Sequence, residues 1–336
     1  MSSTPATAFR PDSLAECNLI VPIYRNEENI PELLERFEEL NRQVKGGINV
    51  VCVVDGSPDN CFHLLAAGLE AATYTSTLML LSRNFGSFAA IREGLKAADA
   101  GYFAVMAADL QEPAELVVDS FNALQKDECD VALGTRVARD DPWMSRLGSM
   151  MFWTIYRRLI QRELPKGGVD VFACNRAFRD QLLTFREANT SLVGQLLWLG
   201  FRRKQIPYVR QPRKHGSSAW KFDAKIKYLM DSIYSFSDLP IKVFLALGLV
   251  GIITSAVMGT IVFVSRITGA ITVPGYTATV IAIVFFAGLN LFGLGIIGSY
   301  VWRAYENTKD RPLAIVMLQR HFAPAAANGY TGSPTS

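Results

Sequence analysis

The most apolar part of the chain lies near its C-terminal end. The ranges 243–264 and 267–302 contain no charged residue. A helix of about 20 apolar residues is long enough to cross a bilayer, and a Pro-Gly turn signal at 274–275 separates the two runs. The pattern therefore predicts a two-helix transmembrane hairpin, with helices over 241–265 and 276–302 and with both flanks on one side of the membrane.

The positive charges near this hairpin lie on its outer flanks. Lys242 precedes the first run and four basic residues follow the second, whereas Arg266 is the one charge between the runs. Those four are Arg303, Lys309, Arg311 and Arg320. Because short cytoplasmic loops are enriched in Lys and Arg, we expect both termini and the soluble part to be cytoplasmic. Residues 1–16 are expected to be a flexible N-terminus, without the apolar stretch of a signal peptide.

The residues before the hairpin alternate between short apolar runs and helical patterns. Strands are predicted over 17–22, 48–54, 77–82, 102–107 and 130–135. Helices are predicted over 29–44, 87–98 and 114–126. This alternation predicts an α/β fold in which helices cover both faces of a sheet whose strands are mostly parallel.

Polar residues follow the carboxyl end of each predicted strand. They are the segments 22–28 (PIYRNEE), 55–59 (DGSPD), 82–86 (SRNFG), 108–113 (ADLQEP) and 134–136 (GTR). Any one of them is ordinary turn chemistry. Ligands of open α/β sheets bind beyond the carboxyl ends of the strands, so five such segments at one sheet edge favour a nucleotide-type pocket.

Composition narrows the class of protein. Of 336 residues, 50% are hydrophobic and 19% are charged, against about 25% charged residues in soluble domains. This balance excludes a disordered chain. Five cysteines without CxxC spacing exclude a disulfide scaffold and indicate a reducing compartment. A net charge of +3 gives no reason to expect a nucleic-acid partner.

Four motifs, in this order, resemble the family 2 glycosyltransferases: VPIYRNEENI, VVDGSPDN, SRNFGSFAAIREGL and AADLQEP. GGVDVFACNRAF, RKHGSSAWKF and the hairpin extend the resemblance over residues 17–316, toward the polyprenyl-phosphate branch that includes the dolichol-phosphate mannose synthases. The resemblance implies a GT-A fold in a bacterial inner-membrane protein with a cytoplasmic catalytic domain. It also implies transfer of a hexose, with inversion, from a UDP- or GDP-sugar to undecaprenyl or dolichyl phosphate.

The resemblance implies roles for individual residues. Asp109 and Gln111 occupy the family's metal positions, so Mg²⁺ or Mn²⁺ is the expected cofactor. Asp109, Asp170 and Arg136 are the expected catalytic residues. The residues expected to contact the nucleotide sugar are Pro22, Tyr24, Glu27, Asp55, Arg83, Ala108, Arg136, Arg213 and Lys214.

The chemistry of the implied reaction suits these residue types. Asp55 is expected to accept a hydrogen bond from an imide N–H of the base, and Arg136 and Arg213 are expected to face phosphates. A leaving diphosphate needs its growing charge neutralised by a divalent ion or by Lys and Arg. The acceptor phosphate is already ionised, so positioning and electrostatics would carry most of the catalysis.

Ala107 departs from the family pattern, because it stands where the family has the first Asp of its metal motif. Three outcomes are open: a metal held by Asp109, Gln111 and donor phosphates, a weakly held metal, or an inactive protein. Asp170 either positions the acceptor or bonds to the backbone. The alternative functions are a glycosyltransferase with a glycan acceptor and a non-catalytic relative.

The expected organisation has a catalytic domain over 17–215, an amphipathic interfacial segment over 216–240, the hairpin and a C-terminal cytoplasmic tail over 303–336. Residues 200–242 contain ten Lys and Arg against three Asp, and an amphipathic helix with such a bias is typical of a membrane interface. The expected partners are a nucleotide sugar, a polyprenyl phosphate, membrane lipids and, because small residues in the spans permit helix association, further copies of the chain.

Overall fold

The computed structural model describes residues 16–137, 165, 168–169, 171–187, 189–212, 230–237, 239–268 and 275–325. Three predicted site residues, Asp170, Arg213 and Lys214, lie outside the described residues, as does most of the predicted interfacial segment.

The first part of the described chain alternates strands and helices as predicted. In chain order the elements are β1 (Cys17–Ile23), α1 (Ile30–Gln43), β2 (Asn49–Val54), α2 (Cys61–Leu69), β3 (Ser76–Leu81), α3 (Ser87–Ala97), β4 (Tyr102–Val105), α4 (Ala114–Gln125) and β5 (Val131–Arg136). Every residue of β2 is buried. Such continuous burial is typical of a central strand that is covered on both faces.

Three further strands complete a mixed sheet. They are β6 (Phe172–Asn175), β7 (Arg203–Tyr208) and β8 (Val316–Phe322), and the short helices α5 (Arg176–Thr184) and α6 (Leu192–Trp198) lie between β6 and β7. The strand order is β7-β5-β6-β4-β1-β2-β3-β8. β6 is antiparallel to both β4 and β5, whereas β7 is parallel to β5. The carboxyl ends of β1 to β5 and of β7 therefore meet at one edge of the sheet.

Two buried clusters, one on each face of the sheet, form the core. On one face Phe37 of α1 and Phe121 of α4 are packed into the first cluster. On the other face Leu95 of α3 and Phe178 of α5 belong to the second cluster, together with Phe103 of β4. The predicted α/β class, with helices on both faces of a mixed sheet, is confirmed.

Strand β8 belongs to the sheet, although the sequence analysis assigned its residues to a C-terminal tail. It pairs antiparallel with β3 and forms an edge of the sheet, with Thr77 opposite His321. Among the described strands β8 has β3 as its one neighbour, and Met317 on it is 63% exposed. Residues 316–322 are thereby held on the domain that the sheet forms.

Two long helices stand between the soluble domain and β8: α7 (Leu239–Ile267) and α8 (Tyr276–Thr308). Among the described residues, the helical stretch Phe285–Thr308 is long and apolar enough to cross a membrane, and a second span is counted only if Met230–Phe236 and Pro240–Gly251 are taken as one bent helix. Many leucines on both helices face outward, including Leu245 and Leu291.

Glycines bring α7 and α8 into contact. A Cβ atom on Gly293 of α8 would collide with the ring of Phe244, and one on Gly251 of α7 would press on the ring of Phe286. Close packing of helices at small residues is typical of membrane proteins. The GxGxxG pattern that begins at Gly293 is thus part of a helix–helix contact and has no strand before it.

A short helical segment, Met230–Phe236, attaches α8 to the soluble domain and is called the junction segment below. A guanidinium nitrogen of Arg303 lies 2.7 Å from a carboxylate oxygen of Asp231, and Arg303 also donates to the carbonyl oxygen of Asn189. The Tyr300 ring packs edge-on against Tyr234, 5.0 Å between centroids. These contacts place the C-terminal half of α8 against the same domain that carries the strand-end loops.

Candidate active site

The candidate site lies at the sheet edge where the carboxyl ends of the parallel strands meet. Pro22 and Val53 are register partners near the ends of β1 and β2, and Arg136 and Tyr208 are partners at the ends of β5 and β7. The loops that follow β1, β2, β3 and β4 carry the other described site residues predicted from the sequence: Tyr24, Glu27, Asp55, Arg83, Ala108, Asp109 and Gln111.

The loops after β1 and β2 are held together by reciprocal hydrogen bonds. The backbone N–H of Glu27 donates to a carboxylate oxygen of Asp59 at 3.2 Å, and the Glu27 carboxylate accepts from the backbone N–H of Asn60 at 3.1 Å. Arg25 has a positive φ of 54° and donates its backbone N–H to the Ser57 hydroxyl at 2.8 Å. Glu27 thus joins two loops at the rim of the site, and its predicted contact with the nucleotide stays a prediction.

The hydrogen bonds around Asp59 favour its ionised form. Burial acts to raise the pKa of this carboxyl, but hydrogen bonds from Ser57, Cys61 and the backbone N–H of Glu27 hold the pKa below its usual value. The carboxylate therefore stays charged, and it remains an acceptor that links the two loops.

Asp55 anchors the loop after β3. One of its carboxylate oxygens accepts from the backbone N–H of Phe85 at 2.7 Å and the other accepts from that of Gly86 at 2.8 Å. The side chain is 2% exposed. Burial raises the pKa of the Asp55 carboxyl, while the two N–H donors and Arg83 act in the opposite direction. The predicted contact with a base stays a prediction, and the anchoring of this loop is a role that sequence reasoning missed.

Gly56, in the loop after β2, allows the backbone of the loop after β3 to lie close to it. Its φ is +56°, and an added Cβ atom would lie 2.2 Å from the carbonyl carbon of Arg83 and 2.5 Å from the backbone nitrogen of Asn84. The Arg83 guanidinium lies 4.1 Å from the ring centroid of Phe85. Asp55 and Gly56 together therefore determine where Arg83 is presented.

Replacing Asp55 with asparagine is expected to destabilise the protein by about 2 kcal/mol, because a carboxamide cannot accept from both N–H groups and its NH₂ meets one of these donors. The urea midpoint of unfolding and the rate of proteolysis at residues 82–87 would measure the effect. Asp127→Asn is the matched control, since Asp127 is 83% exposed in its ion pair with Arg202. Equal midpoints for the two variants would contradict the anchoring role.

Asp109 and Gln111 lie in the loop between β4 and α4. Leu110 between them has a positive φ of 57°, so the chain turns sharply and the flanking side chains share the site. The Gln111 amide nitrogen donates to the carbonyl oxygen of Gln211 at 3.0 Å, which directs its Oε1 atom away from that contact. A carboxylate and an amide oxygen are ligands that Mg²⁺ and Mn²⁺ prefer, so this pair fits the expected metal.

The pair that is expected to hold a metal, Asp109 and Gln111, is called the metal pair below and has a single acidic member. Ala107 offers no ligand, Ala108 is 3% exposed, and the described residues contain no group of three His, Cys, Asp or Glu that could hold a metal ion. A metal at Asp109 and Gln111 would therefore depend on oxygen atoms from a bound ligand.

Arg210 is a site residue that sequence reasoning missed. A guanidinium nitrogen of Arg210 lies 3.9 Å from a carboxylate oxygen of Asp109. Two residues earlier, Tyr208 ends β7 beside Arg136 of β5. Arg210 follows its strand as the other site residues follow theirs, and recognition of β7 as a strand would have identified it.

Some basic residues of the segment 200–242 lie far from the site. Arg202 pairs with Asp127 and Asp130, and Lys204 pairs with Glu128. All of them lie at the amino ends of β5 and β7, the opposite edge of the sheet. The basic residues of 200–242 are thus not all at one edge, because Arg202 and Lys204 lie at the edge opposite Arg210.

Comparisons with known proteins agree with this architecture. The profile of the family described as Glycosyl transferase family 2 matches residues 18–185. An uncharacterized glycosyltransferase of Synechocystis is 30% identical over 90% of this chain and 94% of that protein. Undecaprenyl-phosphate 4-deoxy-4-formamido-L-arabinose transferase of Proteus mirabilis is 26% identical over 90% and 93%. A prophage bactoprenol glucosyl transferase homolog of Escherichia coli is 25% identical over 89% and 97%.

Proposed function

The chain belongs to glycosyltransferase family 2, and from this premise we propose that it transfers a hexose from a UDP- or GDP-sugar to a polyprenyl phosphate, with inversion. The observation that carries the proposal is that β8, which follows the long apolar helix α8, begins at the carboxyl end of β3, the sheet edge where Asp109 lies. The junction segment also ties α8 to the same domain. The acceptor class is supported by the relatives named as undecaprenyl-phosphate and bactoprenol transferases.

In this proposal Asp109 and Gln111 hold a divalent ion together with phosphate oxygens of the donor. When bound, the ion would neutralise the negative charge that develops on the leaving diphosphate. Arg136, at the end of β5, would add positive charge toward the same phosphates, as would Arg213 and Lys214, which lie outside the described residues.

The acceptor supplies its own nucleophile. A phosphate monoester carries negative charge at neutral pH, so its oxygen attacks the anomeric carbon without a strong general base. The chain's contribution is then to hold the two substrates in line and to exclude other geometries. Asp170 is assigned to this positioning of the acceptor.

The apolar helices would keep the acceptor's lipid chain near the site. α7 has 29 residues and α8 has 33, so at 1.5 Å per residue they are about 43 Å and about 50 Å long. Both exceed the hydrocarbon core of a bilayer, which is about 30 Å thick. We propose that they form a transmembrane hairpin whose two outer ends lie on the cytoplasmic side with the catalytic domain.

Cysteine labelling in intact bacterial cells is expected to reveal this topology. A cysteine at position 268, at the far end of α7, should react with a membrane-impermeant maleimide, whereas one at position 325, next to the β8 edge, should react after lysis alone. The five native cysteines give little background, because all of them are buried. Thr268→Cys is unreactive in intact cells if α7 does not cross the membrane, and that result would contradict the hairpin.

Transfer of radiolabelled sugar tests the reaction itself. The purified full chain would be incubated in detergent with undecaprenyl phosphate and a panel of UDP- and GDP-sugars, and the label would be followed into the organic phase. We expect one donor to give a lipid product from which mild acid releases the sugar, as for a sugar phosphodiester. An acid-resistant product would indicate a different acceptor, and no product from any donor would overturn the proposal.

A further inference from the structure

Arg210 is held in a defined position next to the metal pair. β7 pairs in parallel with β5 as far as Tyr208, and the backbone N–H of Val137 donates to the carbonyl oxygen of Tyr208 at 3.0 Å. On the other side of Arg210, the backbone N–H of Gln211 donates to the carbonyl oxygen of Gln111 at 2.9 Å. The Gln111 amide returns a hydrogen bond to Gln211. The backbone around Arg210 is therefore clamped to the loop that carries Asp109.

The guanidinium of Arg210 has unused hydrogen-bonding capacity. Its side chain is 30% exposed, against 13% for Asp109, and the closest approach of the two charged groups is 3.9 Å. The Nε atom of Arg210 is buried and has no hydrogen-bond partner among the described residues. A buried donor without a partner costs free energy that a bound acceptor would recover. Phosphate oxygens match the fork geometry of a guanidinium.

A divalent ion and a guanidinium compete for the same carboxylate. When the site is empty, Arg210 compensates the charge of Asp109. With a donor diphosphate and a divalent ion bound, the Asp109 carboxylate would serve the ion, and the Arg210 guanidinium would be free to turn to the phosphates. We propose that Arg210 binds the donor diphosphate and, before the donor binds, lowers the affinity of the bare site for metal. This inference rests on the proposed function, since it deepens the same site.

The proposal makes two predictions of opposite sign for Arg210→Ala. Without the competing cation, the bare site should bind Mn²⁺ about threefold to fivefold more tightly, in line with the modest strength of a partly exposed ion pair. Without the guanidinium, UDP or GDP should bind about tenfold or more weakly in the presence of Mn²⁺, as expected for a lost charge-assisted hydrogen bond. If Arg210 only supported the fold, its replacement would weaken both Mn²⁺ binding and nucleotide binding.

The experiment uses the purified full chain in detergent. Electron paramagnetic resonance of free Mn²⁺ would give metal affinity without nucleotide, and calorimetry would give the affinities of UDP, GDP and uridine with Mn²⁺ present. Arg210→Lys keeps the positive charge but loses the planar guanidinium that can bind two phosphate oxygens. This variant should therefore leave Mn²⁺ binding unchanged and still weaken binding of the nucleoside diphosphate. Arg202→Ala is the matched control, since it removes a guanidinium that is ion-paired with Asp130 at the opposite edge of the sheet.

The outcomes separate the inference from the proposed function. Tighter Mn²⁺ binding and weaker diphosphate binding in Arg210→Ala, with both affinities unaltered in Arg202→Ala and no change for uridine, would support the role of Arg210. Unchanged or weaker Mn²⁺ binding by the bare site of Arg210→Ala would overturn it. If the unaltered protein bound neither UDP nor GDP, the proposed function would fail, while the Mn²⁺ measurement would still decide the charge competition at Asp109.

Discussion

Replacing Asp109 with asparagine is expected to lower kcat/KM for sugar transfer by about 10³-fold, the upper end of the loss produced by removal of one main stabiliser of transition-state charge. The introduced asparagine is uncharged, so the metal pair would contain two amides and no carboxylate. The organic-phase assay with the preferred donor would measure the loss. Binding of UDP or GDP without metal should not weaken, because Asp109 serves the diphosphate through the ion and its own negative charge repels the bare diphosphate.

Asp99→Asn is the matched control for this prediction. Asp99 lies just before β4 and Asp109 just after it, so the two carboxylates stand at opposite edges of the same sheet. Asp99 is 57% exposed and pairs with Arg176, and its replacement should leave transfer unchanged. Full activity of Asp109→Asn would favour an enzyme in which arginines and lysines alone neutralise the diphosphate, and EDTA would then have no effect.

The central strands could be predicted because their burial is visible in the residue pattern. β1 and β2 read as continuous apolar runs, and the segment 29–44 carries its apolar residues at helical spacing around Phe37. β1 and β2 are covered by helices on both faces, so nearly all of their side chains are apolar and the runs are easy to recognise. Their strand ends then indicated the edge at which the site lies.

Strands β6, β7 and β8 could not be predicted from the same signal. β6 has four residues, which is too short for a period to be recognised. β7 and β8 alternate weakly and carry exposed Lys204 and Arg320, because strands near or at the edge of a sheet have fewer neighbours to bury them. The pairing of β8 with β3 joins residues that are separated by two long helices, and nothing local specifies that partner.

The residues of the candidate site could be predicted from the sequence, but the contacts between its loops could not. Motif resemblance identified Asp55, Asp109 and Gln111, and the structure places all three at one edge. The hydrogen bonds from the backbone N–H groups of Phe85 and Gly86 to Asp55 join residues that are 30 and 31 positions apart. The contact of Arg210 with Asp109 depends on the register of β7, which no motif carries.

Replacing Gly56 with alanine is expected to reduce transfer by about 10²-fold, the loss that a displacement of about 1 Å produces at a reacting centre. The new Cβ atom would lie 2.2 Å from the Arg83 carbonyl carbon. Because that neighbour is backbone, the whole loop after β3 must move. The movement would stretch the hydrogen bonds from Phe85 and Gly86 to Asp55 and carry Arg83 away from the site. We expect a loss of about 3 kcal/mol in the free energy of unfolding, from the left-handed backbone and the collision together.

Gly46→Ala separates the cost of a left-handed backbone from the cost of the collision. Gly46 also has a positive φ, +86°, but an added Cβ atom would have nothing within 4 Å. This variant should therefore show the backbone cost alone, about 1 kcal/mol, and keep full transfer activity. Urea unfolding and the organic-phase assay on both variants would measure the difference. A Gly56→Ala variant that kept its activity and lost no more stability than Gly46→Ala would show that the contact at Gly56 does not position the loop after β3. The position of Arg83 would then have to be explained by Asp55 alone.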